Sequence, residues 1–305
     1  MKTLNPIKQL PLFAVALAVL FSACSSVNND VESLSEEDIA LAAEIVAVSL
    51  ADNESGTMSS MYDAFSGIDE SGISYGEDQR SKAPRRNHNS GRGVERNYTH
   101  TYDSTTGIHT ISYDRTVEND RYNKSVSLYQ EIIFTDLDDA FIARPKANKN
   151  DIEAISFQGT KSGSSEGPNR SSSFTKNDVF EISGVHATSP ILSLDGTHTG
   201  SGQAEGTLPD STTKSKNYEI DITFENVEVN KDTVEAYGSI ENAVSGTLTY
   251  SILMTETTNG VPEETLVEGT IDLQEDGTAL MRFNKLPRVI RFSLVDGDKR
   301  ERPDR

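Results

Sequence analysis

A single cysteine, Cys24, occurs in the 305 residues. That excludes an intrachain disulfide framework and any thiolate zinc finger, so stability has to come from a buried core, and the chain is long enough to build one. Tryptophan is absent, and the 10 tyrosines and 11 phenylalanines are modest for this length. That supply is thin for a broad sugar-stacking platform. Beyond residue 21 no apolar run approaches the roughly 20 residues that a membrane-spanning helix requires. Positive charge is also scarce: 28 Lys and Arg stand against 48 Asp and Glu, a net charge of −20. Such a field repels nucleic acid and bare anionic headgroups and favours solubility, cations and basic partners. Also missing are a phosphate-binding loop, a dinucleotide fingerprint and H-E-x-x-H, so the sequence assigns no cofactor, no metal and no catalytic residue.

What is present begins at the amino terminus. Lys2 and Lys8 precede an apolar stretch from Leu10 to Phe21, followed by the small residues Ser22-Ala23 and then Cys24. A charged start, a short apolar middle and small residues before a cleavage point make a secretory signal. The segment resembles the signal of bacterial lipoproteins, with Phe21-Ser22-Ala23-Cys24 in the place of their lipobox. The resemblance implies removal of residues 1–23 and lipidation of Cys24. It further implies a cell-envelope protein held in a membrane by its N-terminal lipid, and Ser25 in the second mature position implies the outer membrane. Several acyl chains, each contributing about 0.8 kcal/mol per buried methylene, make such attachment effectively permanent.

A polar tether, 24–34, leads to a helical segment, 35–65. Ser35 can cap a helix, Glu36, Glu37 and Asp38 suit its positive end, and Ile39, Ala42, Ala43, Val46 and Leu50 recur at helical spacing. The spacing predicts a helix from Glu36 to Ala51 whose narrow, Ala-rich face packs on its own protein, and a weaker one from Met58 to Phe65. Residues 66–96 lose all periodicity and read as a flexible linker. Within it Arg80, Lys82, Arg85, Arg86, Arg92 and Arg96 gather in an otherwise acidic chain. They are candidates for contact with anionic lipid phosphates, beside the plainer reading of a solvated basic linker.

From residue 97 to 298 the period becomes two. Tyr98 to Asp103 and Ile108 to Val117 flank Ser104-Thr105-Thr106-Gly107, a hairpin with a four-residue loop. Tyr218, Ile220, Ile222 and Phe224 alternate with acids and Thr223. Val227 and Val229 then change phase, which predicts a bulge near Glu225-Asn226. Further alternating runs begin at Val126, Phe180, Leu248, Val267, Ala279 and Ile290, and Ser/Gly-rich 160–173 is expected to be a long loop. The fold class expected is all-β: an antiparallel meander of ten to thirteen strands forming a sandwich or incomplete barrel, preceded by one short N-terminal helix. Residues 299–305 form a charged tail.

Several short motifs offer chemistry and fail on context. Gly163-Ser164-Ser165-Glu166-Gly167 spells G-x-S-x-G but opens no helix, and Ser173 to Lys176 and Ser211 to Lys214 spell S-x-x-K without their companion motifs. In the first hairpin His109 falls opposite Tyr102, with His100 diagonal to it on the same face, a start for a metal site that lacks a third ligand. Asp136 to Asp139 and Asp296 to Asp298 sit at expected turns and miss EF-hand spacing. The function expected is therefore a lipid-anchored envelope protein whose β domain binds a partner protein or surface component. A carrier of an apolar ligand inside a curved sheet and a glycan hydrolase using paired carboxylates are the alternatives; the identity of any small-molecule ligand is open.

Overall fold

The computed structural model describes residues 34–52, 56–66, 94–119, 122–207 and 213–300, with backbone alone at 66, 94–96 and 119. Among the described residues two helices come first, α1 (Glu36–Leu50) and α2 (Thr57–Ser66). Ser35 starts α1 by a capping box: its hydroxyl accepts from the Asp38 N–H at 3.0 Å, and the Asp38 carboxylate accepts from the Ser35 N–H at 3.0 Å. The packing face of α1 is broad where its spacing predicts a narrow one. Ile39, Ala42, Ala43, Ile45, Val46, Ala47, Ser49 and Leu50 are all buried, because α1 is enclosed by the sheet instead of lying on it. The many alanines let backbone and sheet approach closely. At Gly56 a Cβ would lie 2.4 Å from the Ser49 carbonyl oxygen, so only glycine lets α2 begin against the end of α1.

Eleven strands follow in a strict antiparallel meander, each bonded to its sequence neighbours: β1 (Val94–Asp103), β2 (Ile108–Asn119), β3 (Tyr122–Thr135), β4 (Ala154–Gly167), β5 (Arg170–Ser183), β6 (Ile191–Thr207), β7 (Thr213–Asn230), β8 (Val244–Thr258), β9 (Val261–Gln274), β10 (Thr278–Phe283) and β11 (Leu286–Ser293). A third helix, α3 (Lys231–Tyr237), joins β7 to β8 and was not foreshadowed by the sequence reading. Residues 160–173 are not a loop. They are the halves of β4 and β5 either side of the two-residue turn Pro168-Asn169, paired without interruption from Ala154↔Ser183 to Gly167↔Arg170. The predicted bulge is present: the β7–β8 register shifts between Phe224 and Glu228, and Asn226 adopts a left-handed φ of 53°.

The sheet curls around the helices. Asp63 of α2 bonds Gln130 on β3, while Glu36 of α1 pairs with Arg288 on β11. On a flat sheet those strands would lie about 38 Å apart, eight spacings of about 4.8 Å, whereas a helix is only about 10–12 Å across. The two edge strands do not pair with each other, so the curl is an open, incomplete barrel. Its concave face carries Ile132, Phe134, Ile155, Phe157, Phe180, Ile222, Phe224, Ile252 and Ile271, all fully or almost fully buried. Phe157 and Phe180 stack with ring centroids 4.6 Å apart.

The long strands outrun this core. In β3 the residues from Tyr122 to Tyr129 are exposed or half-exposed and burial starts at Gln130; β5 is exposed from Arg170 to Ser173, and β9 from Val261 to Glu264. The distal half of the sheet is thus a single polar layer stabilised by its backbone ladder. At the boundary a register row runs Val126–Gly163–Phe174–Gly202–Tyr218. Tyr218 lies over Gly202, where a Cβ would meet its ring at 2.3 Å, so glycine makes room for the aromatic that seals the core.

Candidate functional site at the helix–sheet seam

Between the α1–α2 pair and the concave face runs a seam of buried polar groups. Its centre is Asp178, which β5 points inward on the same phase as Phe180 and Ile182. The carboxylate accepts three hydrogen bonds: from Thr57 Oγ1 at 2.9 Å, from Ser60 Oγ at 2.7 Å and from His198 Nδ1 at 2.9 Å. Burial alone would raise the Asp178 pKa. The neighbouring imidazole and the two hydroxyls outweigh it, and the carboxyl is held below its ordinary value. Asp178 therefore stays ionised, and His198 must carry its proton on Nδ1 to donate. His198 Nε2 is buried with no hydrogen-bond partner among the described residues.

Three further links flank this centre. Lys176, one inward position away on β5, donates from Nζ to the Val48 carbonyl at 2.8 Å, at the negative end of α1. Gln130 Nε2 on β3 donates to Asp63 Oδ2 of α2 at 2.8 Å. The Tyr62 hydroxyl donates to Glu241 at 2.7 Å and accepts from the Ile240 N–H at 2.9 Å. Burial, reinforced by the bond to Glu241, pushes the Tyr62 pKa well up. Lys176 and Gln130 tie β5 and β3 to the helices, and Glu241 and Ile240 tie the α3–β8 connection to them, so together they fix the position and rotation of the helix pair.

The seam is not a nucleophilic triad. In a triad the imidazole lies between hydroxyl and carboxylate and removes the hydroxyl proton. Here Asp178 lies between Ser60 and His198, and both hydroxyls donate to the carboxylate, so no base activates them. Asp178, with three donors and no solvent access, is equally ill-placed to pass protons. What the arrangement does is order the helices against the sheet.

The sequence's other candidates fall as follows. Cys24 and the basic residues Arg80, Lys82, Arg85, Arg86 and Arg92 lie outside the described residues, as does the side chain of Arg96. Tyr102 does pair with His109, and His100 Nε2 lies 3.3 Å from His109 Nδ1 with the rings stacked. His109 Nε2 is bonded to the Ile142 carbonyl at 3.2 Å, so both of its nitrogens are engaged. Burial lowers the pKa of both histidines. Among the described residues no group of three His, Cys, Asp or Glu is arranged to hold a metal ion. The G-x-S-x-G run is the distal end of β4, and Ser173 to Lys176 lies within β5. Asp136 Oδ1 caps its own turn, accepting from the Asp138 and Ala140 N–H groups at 2.9 Å each. Asp296 Oδ1 likewise accepts from the Asp298 N–H at 3.1 Å.

Two depressions open on the surface. The larger, about 500 Å³, is lined by Asp136, Phe141, Arg144, Asn148, Asp151 and His186 where the β3–β4 and β5–β6 connections meet. The smaller, about 230 Å³, lies on the distal sheet among Ser164, Glu166, Ser172, Ser173 and Gln203.

Sequence reasoning did not find Asp178, His198, Thr57 or Ser60 as a group. A signal existed: Lys176 and Asp178 occupy the same alternating phase as Phe180 and Ile182, and His198 that of Leu192 and Leu194. Ionisable residues in a core phase announce buried partners. Comparison with known protein families, curated protein sequences and solved structures finds no match to this chain.

Proposed function

We propose that this chain is a lipid-anchored cell-envelope protein whose β domain is a non-catalytic scaffold, and that the distal, polar half of its sheet is the surface that engages a partner protein or envelope component. One observation carries the reading. Strands β3 to β7 continue past the core as a single layer rich in Ser, Thr, Gly, Asn and Gln, with uninterrupted ladders from β3 to β6. Such an extension buries little apolar surface and adds little to the core; its use lies in presenting rigid hydroxyl and amide rows. The lipoprotein-like signal supplies the anchor at Cys24, with outer-membrane attachment as the corresponding location, and the basic residues 80–96 supply a second contact with anionic headgroups.

The carrier alternative finds less support. Ala42, Val46, Leu50, Met58 and Met61 are buried inside the curl and the distal depression is lined by Ser, Glu and Gln, while the larger one mixes Leu137, Phe141 and Ile142 with Asp136, Asp138, Arg144 and Asp151. A photo-crosslinking residue placed at Ser172 in intact cells tests the reading, with Lys285 in the β10–β11 turn as control. A reproducible adduct from position 172 and none from 285 is expected. Equal labelling at the two positions, or no adduct from 172, would count against it. In parallel, Cys24→Ala is expected to move the protein from the membrane to the soluble fraction.

A further inference from the structure

The connection from β3 to β4, Asp136 to Glu153, is the longest in the described sheet and holds no helix or strand of its own. Loops beyond about 12–15 residues without such structure are uncommon in a compact domain and are usually functional. With the β5–β6 connection, 184–190, it borders the larger depression, about 500 Å³, at the end of the strands opposite the distal sheet. That volume falls within the roughly 300–1,000 Å³ of small-molecule sites.

Both connections are pinned by side chains from neighbouring elements. Ile142 is tied to the sheet twice: its N–H donates to the Phe134 carbonyl at 2.9 Å, and its carbonyl accepts from His109 Nε2 at 3.2 Å. The Phe141 ring lies on Gly107, where a Cβ would come within 2.4 Å of it. On the β5–β6 connection Lys231 Nζ donates to the Val185 and His186 carbonyls at 2.9 and 2.7 Å. The two connections meet where the Val185 N–H donates to the Glu153 carbonyl at 2.9 Å. A cavity held in this way is preformed, which lowers the ordering cost of binding.

The lining offers three kinds of group. Leu137 and Phe141, both exposed, and Ile142 give it an apolar part. Asp136, Asp138 and Asp151 give carboxylates, of which Asp136 is occupied in capping its own turn. Arg144 gives a guanidinium that has no ion-pair partner among the described residues, although three carboxylates line the same cavity. The carboxylates are not arranged to hold a metal ion. Opposite charges that share a cavity without pairing suit a ligand that carries both: an ammonium for the carboxylates and a carboxylate for the guanidinium fork. Covering Leu137 and Phe141 then calls for an apolar group on the same ligand.

We infer that this cavity is a binding site for a small zwitterion with an apolar side chain, a free amino acid or a dipeptide. Arg144 takes its carboxylate, Asp138 and Asp151 take its ammonium, and Leu137, Phe141 and Ile142 take its side chain. The site is separate from the distal sheet and does not depend on the use proposed for that surface.

Isothermal titration calorimetry of the full chain with L-phenylalanine, L-leucine and the dipeptide L-leucyl-L-phenylalanine tests the inference. Saturable binding of at least one is expected, roughly tenfold or more tighter than binding of phenethylamine, 3-phenylpropionate or glycine, each of which lacks one of the three recognised groups. Whether the amino acids or the dipeptide bind more tightly fixes the length of the ligand. Arg144→Gln is expected to weaken zwitterion binding roughly tenfold and leave phenethylamine unchanged, whereas Asp138→Asn/Asp151→Asn weakens the zwitterion and leaves 3-phenylpropionate unchanged. All three positions are exposed, and unchanged circular dichroism checks that the fold survives. Ser172→Ala, on the distal sheet, is expected to bind like the parent. No saturable binding of any of the three zwitterions would overturn the inference. So would equal affinity for zwitterion and amine, or a loss in Ser172→Ala as large as that in Arg144→Gln.

Discussion

Replacing Asp178 by alanine removes the acceptor for three donors at once: the buried Thr57 hydroxyl, the half-buried Ser60 hydroxyl and the buried His198 Nδ1–H. Thr57 can turn to the Ser49 carbonyl, 3.4 Å away, and Ser60 can bond back within its own helix. His198, fully buried, has no such recourse. Breaking a buried charged pair by removing one partner costs about 3–5 kcal/mol, a large share of the roughly 5–15 kcal/mol by which a domain is stable. With a urea m-value of about 3 kcal/mol/M, the midpoint should fall by about 1–1.7 M. Far-ultraviolet circular dichroism and tyrosine fluorescence are the suitable probes, since the chain has no tryptophan. The reasoning further predicts non-additivity. Asp178→Leu/His198→Leu replaces both partners by apolar groups and should be more stable than the sum of its single variants implies, by about 2–3 kcal/mol. A midpoint for Asp178→Ala within about 0.2 M of the parent, or an additive cycle, would refute the role given to the seam.

Other outcomes follow from the same geometry. Because the Asp178 pKa is lowered on folding, its contribution is complete above the unfolded value near 3.9 and is lost as pH falls through the folded value, so urea midpoints should drop steeply below about pH 4 and Asp178→Ala should flatten that drop. His100 and His109, also lowered, should add a shallower loss as pH falls below about 6.5, and His100→Gln should reduce it. Phe157→Ala empties a fully buried site against Phe180 and should cost about 3–5 kcal/mol in the same assay. Gly56→Ala forces a Cβ onto the Ser49 carbonyl and should cost about 1–3 kcal/mol, with faster hydrogen exchange confined to α1 and α2.

Much of the sheet was legible because alternation records a wet face and a dry one. Tyr218 to Phe224 and Leu248 to Met254 are strands in the places their periodicity predicts, and the phase change at Glu225-Asn226 is a real bulge. Residues 160–173 were misread for the complementary reason. Their two faces are both polar, so no alternation survives, and Ser and Gly have weak strand preference. There the neighbouring strands impose the extended backbone, a tertiary effect absent from local sequence. Helix α1 was legible from its cap and spacing, yet its enclosure was not, since alanine marks close approach without saying how many sides are approached. The Asp178–His198 seam was half legible. Its phase on β5 and β6 signals burial, whereas its partners Thr57 and Ser60 lie over a hundred residues away in the chain. Only the curl of the sheet brings them together.

Hydrogen exchange of the protein in its own membranes, compared with the purified protein, tests most directly whether the distal sheet is the binding surface. The account predicts slower exchange in the membranes for the distal halves of β4 to β7, including residues 171–175 and 201–206, and equal exchange for the core halves at 178–182 and 220–224. Equal exchange in both halves, or protection confined to the core halves, would contradict it.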